Sequence, residues 1–111
     1  MRMLSGDEFF KALRRALIRK GADGITPSSS QATLGRFVRG LFRRTVEYFL
    51  KSNPGFRDIR DAGVTLTALK ASVEDRIEMA LDIPWECISD ELNFDDYEEQ
   101  QIIMAAITSY Y

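Results

Sequence analysis

Residues 30–51 read SQATLGRFVRGLFRRTVEYFLK, and this stretch decides the fold. Leu34, Phe37, Val38, Leu41, Phe42, Thr45 and Phe49 recur every three or four residues and line one side of a helix. Arg36, Arg39 and Arg43 fall on the opposite side. The serine run before the stretch supplies an N-cap, and Asn53-Pro54-Gly55 stops the helix after it. Glu47 follows Arg43 by four residues, a spacing that pairs opposite charges. Gly35 and Gly40 each weaken a helix interior by about 1 kcal/mol relative to Ala, so they mark either a close approach or slack.

The same period recurs on both sides of this helix. Upstream, Phe9, Phe10, Leu13, Ala16 and Leu17 form an apolar stripe that begins near Asp7 and ends at Gly21. Ser5 and Glu8 are spaced as a capping box for it. Residues 21–30, GADGITPSSS, read as a flexible linker. Downstream, residues 56–64 read as a short helical turn ending at Gly63. A third helix is expected over Thr65–Asp82, capped by Thr65, with Leu66, Leu69, Val73, Ile77 and Ala80 on one face. Pro84 ends it, and Ile83–Leu92 reads as an irregular connector whose apolar residues cover one end of the core. A last helix starts near Asp95, with acids in its first turn where the helix dipole favours them. Tyr97, Ile103, Met104, Ile107 and Tyr111 are assigned to its inner face, and Ile102 points away. Strand-like alternation of useful length is missing. The expected fold is therefore all-α: one small domain of 111 residues with about four helices, in a compact bundle or an irregular helical array.

Charge divides this domain in two. Residues 1–62 hold 13 Lys/Arg against 6 Asp/Glu, and residues 63–111 hold 2 against 11, so a net charge of −2 conceals a basic half and an acidic half. Clustered charge bears on partners and association. Lys11, Arg14 and Arg15 lie opposite the first apolar stripe, and Arg36, Arg39, Arg43 and Arg44 extend along the central helix. Arg suits phosphate by its planar fork, so these seven are the candidate nucleic-acid contacts. The ten-residue linker is too long for a helix-turn-helix. On the acidic side, Asp90, Glu91, Asp95 and Asp96 are candidate contacts to a protein. They would either match a basic surface or mimic nucleic acid in an inhibitor. Ile18, outside its helix's apolar stripe, joins Ile102 and the terminal Tyr110 and Tyr111 as apolar candidates for the same interface.

Other chemistry is disfavoured. The chain has no histidine, which removes Ser-His and Cys-His nucleophile pairs and imidazole ligands. With one cysteine, a structural zinc site is not expected. Glu91, Asn93 and Asp95 alternate in the manner of a calcium loop, but the loop's glycine and its final bidentate Glu are out of place. Neither cofactor nor metal is expected. Cys87 reads as a buried structural thiol in a reducing compartment, and Trp85 as a cap on the core. The longest apolar run, Ile102–Ile107, is far below the roughly 20 residues of a membrane span, and the start carries no signal-peptide pattern. A cytoplasmic location without a membrane partner is expected.

These readings converge on a non-catalytic regulatory or assembly protein. It would bind another protein, or a second copy of itself, through charged surfaces and an apolar C-terminal helix. Nucleic-acid binding through the basic face is the alternative, and acidic mimicry of nucleic acid is a second one.

Overall fold

The computed structural model describes residues 6–53 and 62–109, without the side chains of 62–65. Five helices follow in order: α1 (Gly6–Arg19), α2 (Gln31–Ser52), α3 (Ala62–Leu81), α4 (Trp85–Leu92) and α5 (Asp96–Ser109). No strand occurs among the described residues. Among the described residues the architecture is all-helical in one small domain, with five helices where about four were expected.

The additional helix is α4, in the stretch read as a connector. Its eight residues are too few to show a periodic stripe, and Pro84 suggested only an interruption. Pro84 instead starts the helix: its carbonyl accepts from the amides of Cys87 and Ile88 at 3.0 and 3.2 Å, and its own missing N–H costs nothing there. Asn93 ends α4 in the left-handed region, at φ 53°, where a short polar side chain is tolerated. The Phe94 amide then closes back on the Ser89 carbonyl at 2.9 Å. α3 also starts earlier than expected, so Thr65 lies inside it rather than at its N-cap. The capping box on Ser5, residues 56–61, the Pro54-Gly55 stop, Tyr110 and Tyr111 lie outside the described residues.

α2 is the central element. Ser30 caps it by accepting the Thr33 amide at 3.1 Å. It lies along α3 and also meets α5, while α1 touches α2, α3 and α4. The ridge that enters the core is Leu34, Val38, Phe42, Val46 and Leu50, each fully buried. It is rotated slightly from the expected stripe, leaving Phe37, Leu41 and Phe49 partly buried at its flank. Phe9, Leu13 and Leu17 of α1, Leu69, Val73 and Ile77 of α3, Ile88 of α4 and Ile103 of α5 complete one continuous core. Phe42, Trp85 and Phe94 form a ring cluster at the α2–α4–α5 junction, with centroids 5.2–5.7 Å apart.

α5 departs most from its expected register. Its buried residues are Glu99, Ile103, Ala106 and Ile107. Tyr97 and Met104, assigned to the inner face, are exposed, and Ile102 is half-buried against the core. The carboxyl-bearing Glu99 occupies a core position one helical turn before Ile103, and an apolar stripe cannot reveal such a residue.

Segment 21–30 is tied to the rest of the domain at several points. Gly21 and Ala22 donate to the Ile18 and Leu17 carbonyls at the end of α1, and Ile25 is buried. The Arg14 guanidinium Nε donates to the Ser29 carbonyl at 2.8 Å.

Candidate functional site

The basic residues separate into two groups once the helices pack. Lys11, Arg15, Arg36 and Arg44 are exposed and make no ion pair with a described residue. Arg44 lies over the Phe37 ring at 5.5 Å, and Arg36 reaches Thr33 Oγ1 at 3.5 Å. Ile18, 39% exposed, sits on the same α1 face as Lys11, Arg14 and Arg15. The others are engaged within the protein. Arg14 holds Ser29, and Arg43 pairs with Glu47 at 3.1 Å, as the four-residue spacing predicted.

Arg39 is engaged most fully. Its Nε and Nη2 grip both carboxylate oxygens of Glu98, the Nη2 contact being 3.1 Å. Nη2 also donates to the Leu92 carbonyl at 3.0 Å, and the guanidinium lies 4.9 Å from the centre of the Phe94 ring. Gly35 permits this fold-back: a Cβ there would stand 3.2 Å from Arg39 Nη1. One planar fork therefore joins the basic α2 to the acidic α4–α5 turn, and Arg39 has little left to offer a phosphate.

The acidic candidates likewise divide. Asp95 caps α5, accepting the Glu98 amide at 2.8 Å. Asp96 accepts from Lys70 Nζ at 2.6 Å. Asp90 is exposed and Glu91 half-buried, and both are free of ion pairs to described residues. Asp90, Asp96, Glu74, Glu86, Trp85 and Lys70 border an open cleft of about 400 Å³ among α3, α4 and α5.

Beneath that cleft lies a group of residues the sequence did not single out. Glu99 is 1% exposed. Its Oε1 accepts the Trp85 indole N–H at 3.0 Å. Its Oε2 stands 3.4 Å from Lys70 Nζ without hydrogen-bond geometry. Burial, and then the hydrogen-bonded carboxylate of Glu74, push Glu99 up from the ordinary 4.5 to about 8, against the pull of Lys70. Partial burial alone would lower the Lys70 pKa, but the hydrogen bond it donates to Asp96 and the surrounding carboxylates hold it above the usual lysine value. Lys70 is thus a cation and not a nucleophilic amine. Among the described residues no cluster of His, Cys, Asp and Glu is arranged to hold a metal ion. A second open groove, about 510 Å³, runs between α2 and α3 past Phe49, Arg76, Met79 and Ala80. Arg76 stacks on Tyr48 at its edge, 4.7 Å from the ring centre. Cys87 is buried, as expected of a structural thiol.

No protein-family model, curated protein or solved structure matches this chain. Among the described residues no helix is long and apolar enough to cross a membrane.

Proposed function

We propose that this is a non-catalytic regulatory or assembly protein that docks onto another protein by charge steering. The observation that carries the reading is the α1 face: Lys11 and Arg15 are exposed around the exposed Ile18, and neither pairs with a described residue. An exposed apolar side chain flanked by exposed cations suits an acidic, partly apolar partner surface. Arg39 is clamped across the fold to Glu98 and the Leu92 carbonyl, whereas Arg15 bonds within its own helix, to the Lys11 carbonyl at 3.4 Å, and stays at the surface. On the other side of the charge division, Glu86, Asp90 and Asp95 are exposed and would meet a basic surface, a second copy of the chain included. Met104 and Tyr97 are the exposed apolar residues of α5 and take the role first assigned to Ile102.

A binding role fits the chemistry of the chain. There is no histidine, and in the carboxyl pair Glu74–Glu99 the inner member is sealed from solvent. The buried thiol fits a reducing, cytoplasmic setting.

A nucleic-acid partner is the second reading. It is favoured by one observation: residues 9–20 contain five Lys/Arg and no acid. Light scattering coupled to size-exclusion chromatography, at low and high salt and with nucleic acid present or absent, separates the two. The decisive variant combines Lys11→Glu, Arg15→Glu and Arg36→Glu, three exposed positions that make no ion pair with a described residue. A salt-sensitive nucleic-acid complex abolished in this variant would replace the protein-partner reading. Protein binding or self-association lost on Ile18→Asp, with nucleic acid ignored, supports it. Binding that ignores both salt and charge reversal would overturn charge steering.

A further inference from the structure

We propose that Glu99 is a proton-gated latch: as a carboxylic acid it closes the seam between α3, α4 and α5, and as a carboxylate it opens that seam. The geometry calls for the proton. Glu99 is 1% exposed in the core stripe of α5, and Trp85 of α4 satisfies Oε1. As a carboxylate, Oε2 is a buried acceptor with no donor in hydrogen-bond geometry among the described residues, paired only at 3.4 Å with Lys70 and opposed by the Glu74 carboxylate of α3. Glu74 is half-buried at the rim of the open cleft, and its negative charge beside the buried Glu99 disfavours a second charge there. As an acid, the Oε2–H donates to Glu74, and every polar atom of the side chain is satisfied.

The surrounding charges do not rescue the anion. From α3, Lys70 is directed first to Asp96 of α5, at 2.6 Å against 3.4 Å to Glu99. From α4, Trp85 offers one neutral donor, and Glu86 and Asp90 along the same cleft add only negative charge. From α2, Arg39 is taken by Glu98. α1 makes none of the described hydrogen bonds or ion pairs of Glu99. The balanced step is loss of one proton from Glu99 to solvent base. The stranded carboxylate then gains hydration when α5 and α4 part from α3, and the Trp85 bond is given up.

Opening releases Glu99 to an ordinary carboxyl environment. The titration moves from about 8 in the closed seam to 4.5 in the open one. By proton linkage, amide protection in α5 should then fall about tenfold between pH 7 and pH 9, after correction for intrinsic exchange. Trp85 is the chain's one tryptophan, so its emission excited at 295 nm reports the same event without interference.

The experiment measures α5 hydrogen exchange and Trp85 emission on the full chain from pH 6 to 9.5. The expected result is a joint change that steepens from pH 6 and levels off near 8, absent in Glu99→Gln, which mimics the acid form. In Glu74→Gln the levelling-off should move to lower pH. A wild-type profile flat in both signals, or one equally steep in Glu99→Gln, overturns the latch. If Glu99→Gln does not fold, the carboxyl 13C titration of Glu99 in the wild type decides: a midpoint at or above 7 supports the latch, and one near the ordinary 4.5 overturns it.

Discussion

Replacing Arg39 with Ala tests the packing of the whole domain, because one guanidinium joins segments more than 50 residues apart. The loss has three parts. The two-pronged contact with Glu98 is partly solvated, the side chains being 30% and 36% exposed, so it contributes about 0.5–1 kcal/mol. The Leu92 carbonyl, at the C-terminal end of α4, loses its charged donor, at a cost of about 1 kcal/mol. Removing the guanidinium from the Phe94 ring costs about 0.5 kcal/mol more. Arg39→Ala should therefore lose about 2 kcal/mol by urea denaturation, corresponding to a Tm lower by roughly 10 °C for a domain of this size. Arg39→Lys retains the charge but not the fork and should lose most of the same amount. Arg36→Ala, one turn away and exposed, should stay within about 0.5 kcal/mol of wild type. The reasoning fails if Arg39→Ala is as stable as Arg36→Ala, or if Arg39→Lys matches wild type, since charge alone would then suffice. A double-mutant cycle with Glu98→Ala isolates the ion pair and should return about 0.5–1 kcal/mol.

Three further outcomes are expected. The folded pKa of Glu99 exceeds its unfolded value, so its contribution to stability is intact below about pH 4.5 and is lost progressively up to about pH 8. Each tenfold change in proton affinity corresponds to about 1.4 kcal/mol, so Glu99→Gln should be more stable than wild type by up to about 3 kcal/mol at pH 7 and no more stable at pH 4; a gap independent of pH in urea titrations contradicts the assignment. Phe94→Ala removes a fully buried ring from the Phe42–Trp85–Phe94 cluster and should cost about 4 kcal/mol by thermal or chemical melting, with the Trp85 emission shifted to the red. Met104→Asp should leave stability within about 0.5 kcal/mol of wild type, because Met104 is 47% exposed, whereas the half-buried Ile102→Asp should cost about 1–2 kcal/mol in the same melt.

The contrast between Met104 and Ile102 shows where a pattern of apolar residues stops being informative. Residues 102–107 are all apolar, so any rotation of the helix presents a plausible inner face, and the one that packs is chosen by α2 and α3. α2 was legible because 22 residues set a clear period, and its deviation is a small rotation onto the Leu34–Val38–Phe42–Val46–Leu50 ridge. α4 was not, because eight residues span barely two turns and its start is a proline. Lone charges are harder still. Arg36, Arg39 and Arg43 form one regular series in the sequence. In the folded domain the first is exposed, the second clamps Glu98 and the third pairs along its own helix.

What the sequence by itself determined is local: the helical periods, the serine cap of α2, the Arg43–Glu47 pair and the division into basic and acidic halves. Each of these depends on residues within a turn or two of one another, or on a simple count. Only the tertiary structure decided which charges remain available and which are spent. Arg39 meets Glu98 across 59 positions, and Lys70 reaches Asp96 across 26. Glu99 becomes a buried acid because Trp85, Glu74 and Lys70 converge on it from two other helices. A carboxyl group's protonation and a cation's pairing are set by distance and desolvation, and those quantities come into being when the helices pack.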